Sequence, residues 1–189
     1  MRRVLGLMTC YNRKEKTINS IYSLIANNLN VCFRFIVVDD NSSDGTGEAL
    51  GKIDGVRVIK GSGSLFYSGG MRRAMEEALK EEESYDYCLL FNDDVEFFPH
   101  SMEKMTEDNE SDILVGATCD REGKLTYGGV IRKSRIRPAF ETIDWTSERA
   151  DSCDTFNANC VLLKWSVFKQ LGNMDPVYTH TMGDFDYGF

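Results

Sequence analysis

Short apolar runs alternate with amphipathic segments along the first half of the chain. The runs are mostly apolar rather than alternating and end at polar or glycine residues, a pattern typical of strands buried on both faces. They cover 4–9, 33–38, 56–59 and 87–91. Between them, apolar residues recur at spacings of three and four over 18–29 and 71–79, which predicts helices with one buried face. Alternating strands and helices predict an α/β fold, a mostly parallel sheet flanked by helices.

The second half of the chain has a less regular pattern. Apolar runs at 113–117, 125–132 and 159–163 predict further strands, and the pattern at 165–171 predicts a short helix. The polar stretch 133–152, which contains Pro138 and Trp145, predicts a loop. Because no repeat, linker or low-complexity tract divides the sequence, we expect a single domain over 1–189.

Charge and cysteine usage narrow the possible partners. The chain has 30 acidic and 22 basic residues, a net charge of −8, which argues against nucleic acid because neutralisation of phosphates dominates that affinity. No apolar run approaches the roughly 20 residues that cross a bilayer, so only peripheral contact with a membrane is left open. The six cysteines include no CxxC pair and predict reduced core thiols in a cytoplasmic protein rather than a zinc site.

Adjacent carboxylates follow the predicted strand 87–91. Asp93 and Asp94 would repel each other unless a cation lies between them. A divalent ion with oxygen ligands, Mg²⁺ or Mn²⁺, is the natural compensation, and it would be shared with the phosphates of a ligand. In an open α/β sheet this edge is where ligands bind, which favours a functional role over a solvated turn.

A second acidic cluster, 39–45, follows the predicted strand 33–38. Its spacing suggests an EF-hand, but the twelfth position is Gly51 instead of glutamate and the segment follows a strand, so we exclude calcium. We expect Ser43, Asp44 or Thr46 to cap the next helix. Asp39 would then be free to meet a ligand.

The glycine-rich segment 61–70 leads into the predicted helix 71–79. Its sixth position is Phe66, so it lacks a GxGxxG dinucleotide fingerprint. We expect Gly69 and Gly70 to precede the helix and to allow close backbone approach to a ligand. Arg72 and Arg73 would then lie in the first helical turn, where they face either an anionic ligand or solvent.

Two more carboxylates, Asp184 and Asp186, lie near the last residue of the sequence, after His180. Either carboxylate could act as a general base that deprotonates a hydroxyl. If the segment is extended, both side chains point to the same face, so spacing alone does not choose between them.

Taken together, these motifs resemble the family 2 glycosyltransferases, which have the GT-A fold. The resemblance rests on Thr9-Cys10-Tyr11-Asn12-Arg13, on 37–46, on Gly69-Gly70-Met71-Arg72, on the DxD-type segment 90–95, and on 183–188, which is similar to the ED motif of the family. The motifs occur in the family's order over essentially the whole chain, and they are most similar to the rhamnosyltransferase-like branch of bacterial polysaccharide synthesis.

The resemblance implies an inverting glycosyltransferase that uses a nucleotide-diphospho-sugar and Mn²⁺ or Mg²⁺. It implies a nucleotide-binding half at about 1–98 and an acceptor-side half at about 99–189. Asp94, together with Asp93, would hold the metal, and Asp184 would be the base. The resemblance also implies a set of residues that contact the sugar donor: Thr9, Tyr11, Asn12, Asp39, Asp40, Gly70, Arg72 and Asp93. His180 and Asp186 would lie on the acceptor side.

The expected acceptor is a glycan or a lipid-linked sugar, and the expected location is the cytoplasm, including the inner face of the membrane. Two positions depart from the family pattern, because Asn92 stands at the first DxD position and Gly183 replaces the glutamate of the ED motif. The chain also stops at Phe189, where relatives usually continue. An alternative is therefore a truncated or degenerate GT-A domain that binds a nucleotide-sugar without turnover.

Overall fold

A six-stranded sheet forms the centre of the computed structural model, which describes residues 1–108, 110–134, 136–137, 139–143 and 151–189. Four neighbouring strands run parallel: β1 (Arg2–Cys10), β2 (Val31–Asp39), β3 (Val56–Lys60) and β4 (Tyr87–Phe91). Two more complete the sheet: β5 (Ile113–Val115) and β11 (Cys160–Lys164). The order is β3-β2-β1-β4-β11-β5, and β11 runs antiparallel to both of its neighbours. The predicted α/β class with a mostly parallel sheet is confirmed.

Two small sheets lie outside the central one. The first pairs β6 (Thr118–Cys119) with β7 (Leu125–Tyr127), and the second joins β8 (Gly129–Arg132) to β9 (Phe140–Thr142) and β10 (Thr155–Phe156). The single strand predicted over 125–132 is therefore wrong, because the chain changes sheets at Gly128. The loop predicted over 133–152 is wrong at β9, a three-residue exposed strand too short to show a pattern. Pro138 and Trp145 lie outside the described residues.

Helices cover both faces of the sheet. They are α1 (Lys14–Ala26), α2 (Thr46–Leu50), α3 (Phe66–Leu79), α4 (Ser101–Glu107), α5 (Trp165–Leu171) and α6 (Gly183–Gly188). One core packs α1, α2 and α4 against one sheet face, and the other packs α3 and α5 against the opposite face. Side chains along β1 alternate between the two cores. Val4 and Met8 pack in the first core, and Leu5 and Leu7 pack in the second.

Two helices differ from the sequence predictions. Because α3 begins at Phe66, Gly69 and Gly70 lie inside the helix, and Arg72 and Arg73 lie beyond its first turn. Both predictions for this segment are therefore wrong. The condition under which Asp184 and Asp186 would share a face, an extended segment, is not met, because the segment forms α6. Helical neighbours two positions apart do not share a face, so Asp184 and Asp186 point in different directions.

The cysteines and the helix lengths bear on two further predictions. All six thiols are free, and Cys10, Cys88 and Cys160 are buried as expected for core residues, whereas Cys32 is exposed. Burial raises the pKa of the Cys160 thiol to about 12, so this thiol stays protonated at neutral pH. Among the helices of the described residues, none has the length and apolarity that a membrane span requires.

Candidate functional site

The parallel strands end at one edge of the sheet, where most of the predicted site residues lie. Cys10 at the end of β1 pairs in register with Asp39 at the end of β2, and Asp93 follows β4 on the other side of β1. Negative charge therefore gathers around Cys10. Burial, followed by the charges of Asp39 and Asp93, raises the pKa of this thiol far above its ordinary value. This concentration of charge indicates that the edge is suited to a cationic partner.

An arginine from the loop after β1 bridges the two carboxylates after β4. Arg13 Nη1 lies 2.7 Å from Asp93 Oδ1 and 3.2 Å from Asp94 Oδ2. The Asp93 side chain is 8% exposed and that of Asp94 is 38% exposed. Burial raises the pKa of the Asp93 carboxyl, and Arg13 lowers it only in part. The ion pair is therefore incomplete compensation for a buried charge.

Asp93 and Asp94 fit one part of a divalent metal site. Carboxylate oxygens suit Mg²⁺ and Mn²⁺, and a buried carboxylate with a raised pKa gains from a nearby cation. No group of three or more His, Cys, Asp or Glu side chains suited to a metal occurs among the described residues. The two carboxylates would therefore need further oxygen ligands from a bound phosphate and water, which is the usual pattern for Mg²⁺.

Asp39 is buried at the end of β2 and is only partly free. Its Oδ1 accepts a hydrogen bond from the Ser42 backbone N–H at 3.0 Å, and the side chain lies against Gly47 in α2. A Cβ at Gly47 would lie 3.3 Å from Asp39 Cγ and closer still to Oδ2, so glycine is needed there. The predicted contact of Asp39 with a ligand stays a prediction, and Oδ1 already serves the loop.

The loops after β1 and β2 are joined by hydrogen bonds. Asn12 has a left-handed backbone with φ of 50°, and its Oδ1 accepts from the Ser43 N–H at 2.8 Å. Asp44 accepts from the N–H groups of Lys14 at 3.1 Å and Thr46 at 3.0 Å. The N-cap of α2 is Gly45, so the predicted cap at Ser43, Asp44 or Thr46 is wrong, although Asp44 accepts from the first N–H of the helix from the position before the cap. The Asn12 side chain serves this loop contact, and its role toward a ligand stays a prediction.

Asp40 holds the glycine-rich loop that follows β3. Its Oδ1 accepts from the Gly63 N–H at 2.7 Å, and its Oδ2 accepts from the Leu65 N–H at 2.8 Å. The side chain is buried, so both oxygens face protein groups. Hydrogen bonds to a carboxylate are among the strong ones, which makes Asp40 an anchor of the loop. Its predicted contact with a sugar donor is not tested by these bonds.

Gly70 lets α3 approach β1 closely. A Cβ at Gly70 would lie 2.7 Å from Thr9 Cβ and closer to Thr9 Oγ1. Thr9 Oγ1 also donates to the Val38 carbonyl at 3.3 Å. The sequence predicts a close approach of Gly70 to a ligand, but in the structure Gly70 lets α3 approach β1 instead.

The arginines of α3 have protein partners. Arg72 donates to the Tyr178 carbonyl, and Arg73 pairs with Glu76 and Glu77 on its own helix. Arg73 therefore forms ion pairs along the surface of its own helix, whereas Arg72 links α3 to the segment before α6. At the same edge, Tyr11 after β1 is 55% exposed and open to a ligand.

The second half of the chain brings Asp184 to the same edge. Asp184 Oδ2 accepts from the Ala158 N–H at 3.0 Å, just before β11 begins. Cys160 at the start of β11 pairs with Phe91 at the end of β4, so Ala158 lies beside the loop that carries Asp93 and Asp94. The antiparallel direction of β11 therefore brings the hydrogen bond between Ala158 and Asp184 to the sheet edge at which β4 ends.

The two acceptor-side candidates lie further out. Asp186 is exposed and accepts from the Tyr178 hydroxyl at 3.3 Å. The His180 ring packs on the Phe66 ring with centroids 3.7 Å apart. Phe66 is 51% exposed and has a left-handed φ of 53°, so an aromatic surface lies beside α6. Sequence reasoning assigned no role to Phe66 or Arg13. The role of Arg13 becomes visible only in its ion pair with Asp93 and Asp94, which joins loops that are distant in the chain.

Solved structures with a similar fold include a mannosyltransferase. The mannosyltransferase PcManGT from Pyrobaculum calidifontis, in complex with GDP-Man and Mn²⁺, aligns at 15% identity with a TM-score of 0.61, over 99% of this chain and 50% of that one. S. aureus TarS aligns at 15% identity with a TM-score of 0.61, over 100% of this chain and 54% of that one. The chain thus spans about half the length of both proteins. At such identities the likeness shows the fold alone.

A sequence family model gives the closer assignment. Among curated proteins, no sequence matches the chain. The model described as "Glycosyl transferase family 2" matches residues 7–167, which run from the end of β1 through β11 and include the Asp93–Asp94 pair. This match covers most of the sequence and agrees with the fold likeness. The chain therefore belongs to glycosyl transferase family 2.

Proposed function

We propose that the protein is a metal-dependent inverting glycosyltransferase that moves a sugar from a nucleotide-diphospho-sugar to an acceptor hydroxyl. One observation carries this proposal: Asp184 accepts a hydrogen bond from Ala158, which leads into β11, and β11 pairs with β4 at the end that Asp93 and Asp94 follow. A transfer needs both a site for the leaving diphosphate and a base for the incoming hydroxyl. Family membership adds support, because it makes sugar transfer the expected chemistry.

The sugar donor would bind across the loops after β1, β2 and β4. Thr9 and Asp39 would contact the base and ribose, and Asp93 would lie near the ribose. Tyr11, whose ring is exposed at this edge, offers a face on which a base can stack. Arg72 and Gly70 would border the site from α3. The presence of GDP-Man in PcManGT supports a nucleotide-sugar as the ligand class.

Asp94, together with Asp93, would hold Mn²⁺ or Mg²⁺. The metal would neutralise charge on the departing diphosphate. The Mn²⁺ in PcManGT supports this cofactor class. Arg13 occupies the space between the two carboxylates, so its guanidinium must shift or share them when the ion binds. Once displaced, Arg13 would itself be available to a phosphate oxygen, which an arginine binds well.

Asp184 would act as the general base. It would accept the proton of the acceptor hydroxyl while that oxygen forms a bond to the anomeric carbon. The bond from the anomeric carbon to the diphosphate oxygen breaks on the opposite face, so one displacement inverts the configuration. The hydrogen bond from the Ala158 N–H holds one carboxylate oxygen in place. A base fixed in this way loses less freedom in the reaction than an unanchored side chain.

The acceptor and the cellular role extend the proposal. A glycan or a lipid-linked sugar fits the exposed aromatic surface of Phe66 and His180 beside α6, because aromatic faces suit sugar rings. A role in bacterial surface polysaccharide synthesis, in the cytoplasm or at the inner face of the membrane, follows from the resemblance of the motifs.

The first experiment tests the sugar-donor site without turnover. Calorimetry would measure binding of GDP-, UDP-, dTDP- and CDP-sugars with Mn²⁺ and with excess chelator. We expect one nucleotide class to bind, and we expect chelation or the substitution Asp94→Asn to remove most of the affinity. Asp54→Asn, at an exposed aspartate between α2 and β3, is the matched control and should bind normally. Equal affinity with and without chelator would contradict the metal assignment.

The second experiment separates transfer from mere binding. Asp184→Asn should keep its affinity for the sugar donor and lose roughly 10²- to 10⁴-fold in turnover, measured by release of nucleoside diphosphate. Asp186→Asn should retain turnover. The reverse pattern would assign the base to Asp186. Binding of a nucleotide-sugar with neither transfer nor hydrolysis in the unmodified chain would favour the alternative, a GT-A domain that binds without turnover.

A further inference from the structure

Two buried hydroxyls beside Asp184 lack hydrogen-bond partners. Among the described residues, Tyr67 Oη and Ser68 Oγ in the first turn of α3 are shielded from solvent and accept or donate no hydrogen bond. Buried polar groups are nearly always paired, since an unpaired one has lost its hydrogen bonds to water without gaining another partner. Two adjacent exceptions in one turn of one helix therefore call for an explanation.

Ser68 packs against the start of α6, and Tyr67 directly precedes Ser68 in α3. A Cβ at Gly183 would lie 3.0 Å from Ser68 Oγ, so α3 and α6 approach each other closely at this point. Gly183 directly precedes Asp184. Asp184 uses Oδ2 to accept from Ala158, and its Oδ1 accepts from the Phe185 N–H at 3.0 Å. Each carboxylate oxygen can accept a second hydrogen bond.

The Tyr67 phenol is suited to interact with this carboxylate. Burial, and then the negative charge of Asp184, raise the pKa of the phenol well above its ordinary value, so the hydroxyl keeps its proton. A protonated hydroxyl with no other partner lowers its energy by turning its hydrogen toward a nearby negative charge. In a buried setting such an interaction is stronger than in water.

We propose that Tyr67 is a positioning residue that acts through Asp184: its hydroxyl, directly or across one bridging water, holds the carboxylate oriented toward the acceptor. The proposal deepens the proposed function and rests on it for the role of Asp184. Ser68 lies beside the same contact and can accept or donate to the same bridging water. Tyr67 itself touches neither sugar donor nor acceptor in this arrangement.

The structure offers a matched control in a second tyrosine–aspartate pair. Tyr178 donates to Asp186 at 3.3 Å, and this pair is exposed where the first is buried. The substitutions Tyr67→Phe and Tyr178→Phe both remove one hydroxyl and keep the ring. They therefore differ mainly in which carboxylate loses a neighbour.

A double-mutant cycle on unfolding tests the contact without any substrate. Chemical denaturation would give the unfolding equilibrium constants of the unmodified protein, Tyr67→Phe, Asp184→Asn and the double variant. We expect a coupling of about tenfold in that constant, as for a hydrogen bond to a charged group. A coupling above threefold supports the contact, and threefold or less overturns it. The cycle of Tyr178→Phe with Asp184→Asn should be additive, and coupling there as large as in the first cycle would also overturn the proposal.

Turnover then tests the positioning role. With the nucleotide-sugar that binds best, Tyr67→Phe should lower kcat by about tenfold and leave the calorimetric Kd of the sugar donor unchanged. A loss of donor affinity with unchanged kcat would overturn the proposal. If Asp184→Asn keeps full turnover, the base assignment fails, whereas the unfolding cycle still reports whether Tyr67 and Asp184 interact. The two failures are therefore distinguishable.

Discussion

The contact between α3 and β1 predicts opposite effects for two adjacent glycines. Gly69 and Gly70 both lie inside α3, where alanine is favoured over glycine by about 0.5–1 kcal/mol. They differ in what a methyl group would meet. At Gly69 the neighbouring atoms are those of Leu65 at 3.4 Å and 3.8 Å, which are ordinary contacts. At Gly70 the methyl group would lie 2.7 Å from Thr9 Cβ, which belongs to the central strand.

The magnitudes follow from these two environments. Gly69→Ala should gain the helical preference alone and raise the free energy of unfolding by about 0.5–1 kcal/mol. Gly70→Ala gains the same preference, but overpacking against a fixed strand costs about 1–3 kcal/mol. Because the clash involves Cβ as well as the rotatable hydroxyl, we expect the upper part of that range. The net result for Gly70→Ala is a loss of about 1–2 kcal/mol.

Urea denaturation followed by circular dichroism would measure both variants. For a chain of this size each kcal/mol shifts the melting temperature by about 2–4 °C, so a thermal scan would give the same ranking. Gly69→Ala serves as the control for helical preference, since the two positions are neighbours. If Gly70→Ala proves as stable as Gly69→Ala, the close approach of α3 to Thr9 is not a real constraint, and the reasoning fails.

Three further predictions concern aspartates at the sheet edge. Asp40→Ala should lower the free energy of unfolding by at least about 2 kcal/mol, because two N–H groups lose a charged acceptor, and Asp40→Asn should cost less; denaturation of both variants checks this order. Burial raises the pKa of Asp93, so the folded state holds this proton to a higher pH than the unfolded chain, and stability falls as pH rises through that window. Asp93→Asn should thus have a higher free energy of unfolding than the unmodified protein at pH 7 and the same free energy of unfolding at pH 3, as measured by urea titrations. An equal gain in the free energy of unfolding at both pH values would refute this. Asp39→Ala should weaken nucleotide binding in calorimetry while the protein stays folded, whereas unchanged affinity would restrict Asp39 to its bond with Ser42.

The sequence predicts the central sheet well because its strands are marked locally. The predicted runs at 87–91 and 165–171 coincide with β4 and α5, since each is an unbroken pattern bounded by polar residues. The start of α3 escapes prediction for the opposite reason. A segment with two adjacent glycines has low helical preference, and it becomes helical because Gly70 packs on Thr9, a contact with no local trace.

In the candidate site, too, some residues can be predicted from local sequence and others cannot. The carboxylates are visible in the sequence because Asp39, Asp93 and Asp94 each follow a recognisable strand. The partners of these carboxylates are not visible in the sequence, because the ion pair of Arg13 with Asp93 joins loops far apart in the chain. The different directions of the Asp184 and Asp186 side chains likewise depend on α6. This helix has six residues, too few for an apolar spacing that would reveal it in the sequence.

The direction of β11 has a consequence for how the protein folds. Once β1, β2 and β3 have joined in turn, β4 has only the stretch 61–86 left to close before it pairs with β1, whereas the β4–β11 ladder must close the stretch 92–159 before its first hydrogen bond forms. Closing a long loop costs entropy that shorter pairings do not, so this ladder is expected among the last contacts to appear. During refolding, Asp93 and Asp94 would then be assembled before Asp184 arrives beside them. Recovery of nucleotide binding should precede recovery of turnover, because the base is delivered by a pairing that closes after the parallel strands have joined.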